Sequence, residues 1–567
     1  MKRTIYFFLS LILLLGVSII NAQTYDPEAL LPKDPKVITG QFKNGLNYYI
    51  RQNLKPEKRV EFRLVLKAGS ILENDNQQGL AHFIEHMAFN GSEHFSKNEL
   101  VSFLEKSGVT FGADLNAYTS FDETVYMFEI PSDRTDLLDS AFFVIEDWAH
   151  NLSLENEEID KERGVIHEEW RMGLGAQDRM QKIFIPILLK DSRYAERLPI
   201  GKMSIVDSCE YDVLKDFYKD WYRPDLMAVI VVGDIDPVYA EKKIKKHFKK
   251  IKNPKDKRER KEYDIPDNDK PLVAIATDKE ATSNVVALLY KHDKKPFVKN
   301  DDYRRSILLS LYSMMLNGRL FEISQKPEAP FLFANADYGN FLAKSKDAWQ
   351  AYAVAKENMY TQTLSTLIKE NERVKRFGFT EGELERQKSE ILSNFEKYLK
   401  EKDKTNSKQY VNEYVAHFLS NEPFPGIDYE YNLVNSFLPD ISIEDINALS
   451  KELVTDNNLV VLLTGPDKEG NKVPSEREIL MTIAFAKKAK LKPYEERIIG
   501  NSLIFPSRTA CDNSAIPIDF ALKPFDVKFL FLSLDINFAF LLDSTEYNTS
   551  PNSGTSLRPA TLTGSDG

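Results

Sequence analysis

Apolar and polar positions alternate from Val60 to Leu66 and then switch to helical spacing, so strands and helices follow one another closely near the start of the chain. Asn44-Gly45 suits a tight hairpin turn between two β-like stretches. Over residues 76–89, Leu80, Ile84, Met87 and Ala88 recur at helical spacing, and Asn90-Gly91 reads as a stop. Thr, Tyr and Phe are dense over 116–130, which predicts strands, and a long helix is expected over 136–150. A further helix is expected over 156–172, where Glu, Lys and Arg surround Ile159, Val165, Ile166 and Trp170; Gly164 weakens it only slightly. A buried strand over 226–232 runs into Gly233-Asp234-Ile235-Asp236-Pro237, in which Asp236 caps a helix that begins at Pro237.

A second buried strand, 459–463, runs into Thr464-Gly465-Pro466 in the same manner, which suggests an internal repeat. The expected fold class is α+β, with residues from about 25 to 250 and from about 260 to 470 forming two copies of one unit, joined by the charged stretch 253–270. Each unit is expected to pack a mixed or antiparallel sheet against helices. Within the second unit, Thr380 and Glu383 form a capping box after Phe377-Gly378. The resulting domain map is 23–250, 251–470, a linker over 471–504 and an atypical tail over 505–567. In the tail charges thin out, Ser, Thr, Asn and Pro rise, and 525–542 is rich in aromatics.

At the other end, Lys2 and Arg3 precede an apolar run from Ile5 to Ile20, and Ala22 stands before Gln23. This reads as a cleaved signal peptide over 1–22, giving an exported, periplasmic or secreted protein without stable membrane insertion after cleavage. The 567 residues are 42% hydrophobic and 28% charged, which is globular rather than disordered composition. A net charge of −11 leaves no footprint for nucleic acid, and Lys242, Lys243, Lys245 and Lys246 read as a solvated helix face. With only Cys209 and Cys511, folding rests on core burial, and any metal must be held by His and carboxylates.

Such a set is present in His82-Phe83-Ile84-Glu85-His86. Residues i and i+4 share a helix face, so the two imidazoles can converge on one ion with Glu85 beside them. A catalytic zinc takes three protein ligands and keeps one position for water, whose pKa it lowers to roughly 7. Glu85 is too close to His86 for a comfortable ligand and is expected to be the general base. Downstream, Glu162 and Glu169 share a face of the 156–172 helix, and spacing alone allows either to be the third ligand. Glu168 lies about 100° round the helix and points elsewhere.

The run Leu80 to Phe89 resembles the zinc helix of the inverzincin family of pitrilysin, insulin-degrading enzyme and mitochondrial processing peptidase, whose motif is H-x-x-E-H followed by a distant Glu. Lys161 to Glu169 resembles the family's second helix. The resemblance implies a zinc metalloendopeptidase in which His82, His86 and Glu169 bind one Zn2+ while Glu162 supports a histidine ligand. Leu115-Asn116-Ala117-Tyr118-Thr119 is similar to the strand that pairs with substrate, so Asn116 and Ala117 are expected to bind unfolded peptide by β-augmentation. Family enzymes close a chamber from two halves, and this chain resembles one half, which implies a second peptidase-like half or subunit as partner. At the stretch where the family places an Arg and a Tyr seven residues apart, Ser324 and Phe331 stand instead. A non-catalytic scaffold or peptide-binding half therefore remains the alternative.

Overall fold

The computed structural model describes residues 25–106, 109, 115–173 and 175–496; the expected signal segment, the tail over 505–567 and Cys511 lie outside the described residues. Two sheets organise the chain. The first contains β1 (Val37–Gln41), β2 (Asn47–Gln52), β3 (Arg59–Leu66), β4 (Leu115–Thr119), β5 (Thr124–Pro131) and β6 (Met227–Gly233), in the order β1-β2-β6-β3-β5-β4. The second contains β7 (Leu272–Asp278), β8 (Asn284–Asp293), β9 (Phe331–Asn340), β10 (Lys346–Ala355) and β11 (Leu459–Pro466), in the order β7-β11-β8-β10-β9. Removing β1 makes the two orders identical, and in each unit the first strand pairs in parallel with the last while the other pairs are antiparallel. The expected α+β fold with internal duplication is what the chain adopts.

The helices that matter for the site are α1 (Leu80–Met87), α2 (Thr135–His150) and α3 (Asn156–Met172), followed by α4 (Ala176–Leu188) and α5 (Pro237–Phe248). The second unit contributes α6 (Asn300–Ser324), α7 (Tyr360–Phe377), α8 (Glu381–Glu401), α9 (Ser407–Ser420) and α10 (Glu476–Lys488). Asp236 caps α5 through the Val238 and Tyr239 amides with Pro237 at its first position, and Thr380 with Glu383 forms the capping box of α8.

Two expectations need correction. The helix expected over 76–89 is split: Asp75–Gln77 is a 3-10 turn, Gly79 sits at φ +102°, and the α-helix starts only at Leu80. The cause is the buried Glu73 carboxylate, which accepts from the Gly79 amide at 3.1 Å and the Ala81 amide at 2.8 Å and so caps α1 in place of a preceding turn. The stretch expected to be a linker, 471–504, contains α10, whose Ile479, Ile483 and Ala486 are buried in the second core. Like α5 after β6, it is the helix that follows the last strand of its unit.

Each sheet is covered on one face by its own helices and on the other by a helix lent from the opposite unit. Tyr410, Val411, Tyr414 and Phe418 of α9, with Phe424, pack on Val65, Val125, Ala228, Ile230 and Val232 of the first sheet. Reciprocally, Phe184, Ile185 and Leu188 of α4 join the core that contains Ala274, Ala276 and Ala287 of the second. Arg179 of α4 reinforces this contact with a bidentate pair to Asp278 at 2.6 and 2.7 Å. Both β-layers are thus closed on two faces, which antiparallel sheets ordinarily need only on one.

The second unit's α6 and α8 correspond in order to the first unit's α1 and α3. They are joined by a buried bidentate ion pair, Arg319 to Glu383 at 2.7 and 2.8 Å, with the guanidinium between the Phe379 and Tyr494 rings.

Candidate metal centre

The short helix α1 is buried along nearly its whole length, with Phe83 and Ile84 inside the core and Trp148 of α2 donating its indole N–H to the Ala88 carbonyl at 3.0 Å. This packing presents the remaining face, His82 and His86, to α3. His82 Nε2 and His86 Nε2 stand 3.2 Å apart, and Glu169 reaches both, with Oε1 3.5 Å from His82 Nε2 and Oε2 3.1 Å from His86 Nε2. One donor atom from each of the three residues lies within 4.8 Å of the other two, the one such grouping of metal-ligating side chains among the described residues.

The chemistry of this donor set fits a cation. Two imidazole nitrogens facing each other place lone pair against lone pair unless a proton or a metal ion lies between them, and the carboxylate adds negative charge at the same point. Two imidazoles and one carboxylate match zinc's preference for three protein ligands in an open site. The electrostatics favour positive charge at this point, whether a proton or an ion carries it. Burial lowers the His82 pKa to about 4. Burial acts in the same sense on His86, but hydrogen bonds donated by the ring to the Glu162 and Glu169 carboxylates outweigh it and hold that ring up at about 10. Glu169 is pushed up by burial and pulled further down by the two imidazoles, to about 2.

Spacing left Glu162 and Glu169 as alternatives, and the geometry separates them. Glu162 is on the far side of His86, with Oε1 2.8 Å from Nδ1, the nitrogen that faces away from His82 and Glu169. Its Oε2 accepts from the Asn90 side-chain amide at 2.6 Å. A carboxylate on Nδ1 keeps the proton there and leaves the Nε2 lone pair free for an ion. Glu168 pairs instead with Arg171 at 3.0 Å on the solvent side.

Glu85 is buried beside the cluster, and its Oε2 accepts from the Thr119 hydroxyl at 2.6 Å. Burial pushes its carboxyl up to about 7, against the lowering influence of His86 and Thr119. Asn116 and Ala117 lie on β4, the strand at one edge of the first sheet. The Ala117 amide is taken by the Asn116 side-chain oxygen at 2.8 Å. Of the two residues standing where an Arg and a Tyr were sought, Ser324 ends α6 with its hydroxyl donating to the Phe321 carbonyl at 2.7 Å, and Phe331 is fully buried at the start of β9. Glu73, Asn90 and Thr119 were not singled out from sequence; Asn90 had been read only as part of a helix stop.

A duplicated α+β chain whose first unit brings an H-x-x-E-H helix against a distant glutamate belongs to a recognisable class of metallopeptidase-like folds. The chain belongs to peptidase family M16: residues 48–199 match the model described as Insulinase (Peptidase family M16), and residues 208–391 match Peptidase M16 inactive domain. Among its relatives, the zinc protease PQQL-like of Arabidopsis thaliana is 30% identical over 475 residues, 83% of this chain and 46% of that protein. The probable zinc protease PqqL of Haemophilus influenzae is 31% identical over 474 residues, 82% of this chain and 50% of that protein. The crystal structure of the first half of the periplasmic protease PqqL from Escherichia coli superposes with a TM-score of 0.77 at 29% identity, covering 82% of this chain and 100% of that one. The chain spans about half the length of the curated relatives it matches. Among the described residues no helix is long and apolar enough to cross a membrane.

Proposed function

We propose that this chain is the metal-binding half of an exported zinc endopeptidase acting on unfolded peptides. The observation that carries the reading is the convergence of His82, His86 and Glu169 next to a buried carboxylate, Glu85. His82, His86 and Glu169 would hold one zinc, with Glu162 orienting His86. Zinc bound there supplies Lewis acidity and lowers the pKa of a coordinated water.

The remaining work belongs to the chain's own residues. Glu85, held near neutrality by burial, takes the proton of the attacking water and passes it to the departing amine nitrogen. The edge of β4 aligns the peptide backbone at Asn116 and Ala117, for which the Asn116 side chain must release the Ala117 amide. Since backbone pairing demands an extended strand, folded substrates are disfavoured.

A second peptidase-like half closing a chamber is the proposed partner, supported by the relatives' twofold greater length. Ser324 and Phe331 provide no cationic or phenolic donor for a tetrahedral intermediate, and losing one such donor costs about 3–4 kcal/mol of barrier. That observation favours the second reading, a peptide-binding half that needs its partner for turnover. Metal analysis with a Glu85→Gln variant tests the first reading: stoichiometric zinc in both proteins, with hydrolysis of an unfolded peptide lost only in Glu85→Gln, is expected. Absence of zinc, or full activity of Glu85→Gln, sinks it. Turnover that appears only on adding the second half selects the alternative.

A further inference from the structure

The strand at the open edge of the first sheet also reaches under the site. Leu115, Ala117 and Thr119 of β4 turn inward, and Thr119 is 4% exposed. Its hydroxyl donates to Glu85 Oε2 at 2.6 Å. On β5, Thr124 is its register partner, and the two hydroxyl oxygens are 3.3 Å apart.

Counting protons decides which way these hydroxyls point. Thr124 donates to the Ala68 carbonyl at 2.9 Å, so its single proton is committed and towards Thr119 it can only accept. Thr119 has one proton and two acceptors, a carboxylate at 2.6 Å and a hydroxyl at 3.3 Å. The shorter, charge-assisted bond prevails. The hairpin carrying both residues is itself fastened from outside, because the Ser120 and Phe121 carbonyls accept from the Ser70 and Ile71 amides at 3.1 and 2.9 Å. Oε2 of Glu85 is therefore held by a hydroxyl on a hairpin that is itself fastened by backbone bonds, while Oε1 takes no hydrogen bond from any described residue.

We propose that Thr119 is a positioning residue for the reaction. Its hydroxyl pins one oxygen of Glu85 so that the other is presented to the reacting water. It also ties that carboxylate to the strand along which the peptide pairs, so that seating a peptide on Asn116 and Ala117 and setting the proton carrier involve one piece of backbone. A glutamate has three rotatable bonds, and fixing one oxygen removes most of the freedom that would otherwise be lost on reaching the transition state. This rests on Glu85 serving as the proton carrier.

The test compares Thr119→Val, which keeps shape and removes the hydroxyl, with Thr119→Ser, which keeps the hydroxyl, in the full chain together with its second half. For Thr119→Val, kcat should fall roughly ten- to hundredfold, as expected for losing a hydrogen bond to a charged group, with KM, zinc content and Tm close to wild type. Thr119→Ser should restore kcat to within about threefold. Should the valine unfold the hairpin, Thr119→Ala carries the same expectation. Wild-type kcat in Thr119→Val, or equal losses in the Val and Ser variants, overturns the proposal. If instead wild type does not hydrolyse peptide or Glu85→Gln remains active, the functional reading fails by itself. Crystal structures of zinc-loaded wild type and Thr119→Val then decide the positioning role: a Glu85 carboxylate in the same place in both overturns it, and one that has swung away supports it.

Discussion

Glu162 Oε1 lies 2.8 Å from His86 Nδ1, on the side of the ring opposite His82 and Glu169. The carboxylate thus bonds to the histidine without approaching the point where the three candidate ligands meet. Replacing it by Gln keeps the hydrogen-bonding shape but removes the charge that raises imidazole basicity. Zinc affinity of Glu162→Gln, measured by competition with a chromophoric chelator, is expected to fall about 10–100-fold. An affinity equal to wild type would show that the pair is ornamental.

Zinc binding should also register as stability. A ligand that binds only the folded chain stabilises it by about 2.7 kcal/mol at one hundred times its Kd. Chelation should therefore lower Tm and added zinc restore it. In His86→Ala the zinc-dependent shift should vanish, and a shift of undiminished size would place the stabilising ion elsewhere.

Arg319 and Glu383 are 2% and 5% exposed at their side chains. Arg319→Met leaves the Glu383 carboxylate buried without its partner, and the expected loss is about 3–5 kcal/mol by urea unfolding. Pairing it with Glu383→Gln should recover part of that loss, because an uncompensated charge no longer remains. A double variant as unstable as the sum of the two singles would argue against that account.

Asp337 on β9 faces Gln350 on β10, whose amide donates to Oδ2 at 3.0 Å, while Oδ1 is buried without a partner. Burial raises its pKa from 3.8 to about 6. A carboxyl that is easier to protonate in the folded state favours folding at low pH, and that contribution is lost as pH rises from about 4 to 6. Asp337→Asn should therefore be more stable than wild type at pH 7–8 by about 1–3 kcal/mol and no more stable at pH 4. A difference that does not vary with pH would mean the carboxyl is not the cause.

Much of the site was legible because its information is local. His82, Glu85 and His86 occupy one turn, so helical periodicity alone puts them together, and the expected span of α3 agrees with the observed Asn156–Met172. The duplication was visible in two strands that run into similar turns, and the matching sheet orders bear it out. Other features depend on groups distant in sequence. Glu162 and Glu169 share a face, and only the placement of α1 against α3 shows that one meets Nδ1 and the other Nε2. Nothing in the spacing of Glu73, Asn90 or Thr119 announces their contacts, which arise from 3-10 turns before α1, the turn after it meeting α3, and a hairpin folded back on α1. The exchange of α4 and α9 between units was equally hidden, since an amphipathic helix does not state which sheet it will cover.

The two helix pairs that correspond across the duplication are fastened by unlike means. Arg319 and Glu383 complete each other, so the α6–α8 joint is finished as soon as the chain is made. His82, His86 and Glu169 bring their donors to a shared space, and His86 also pairs with Glu162 of α3. With zinc bound as proposed, the α1–α3 joint would gain bonds that the surroundings supply beyond its Glu162 contacts, whereas the α6–α8 joint would be indifferent to ion supply.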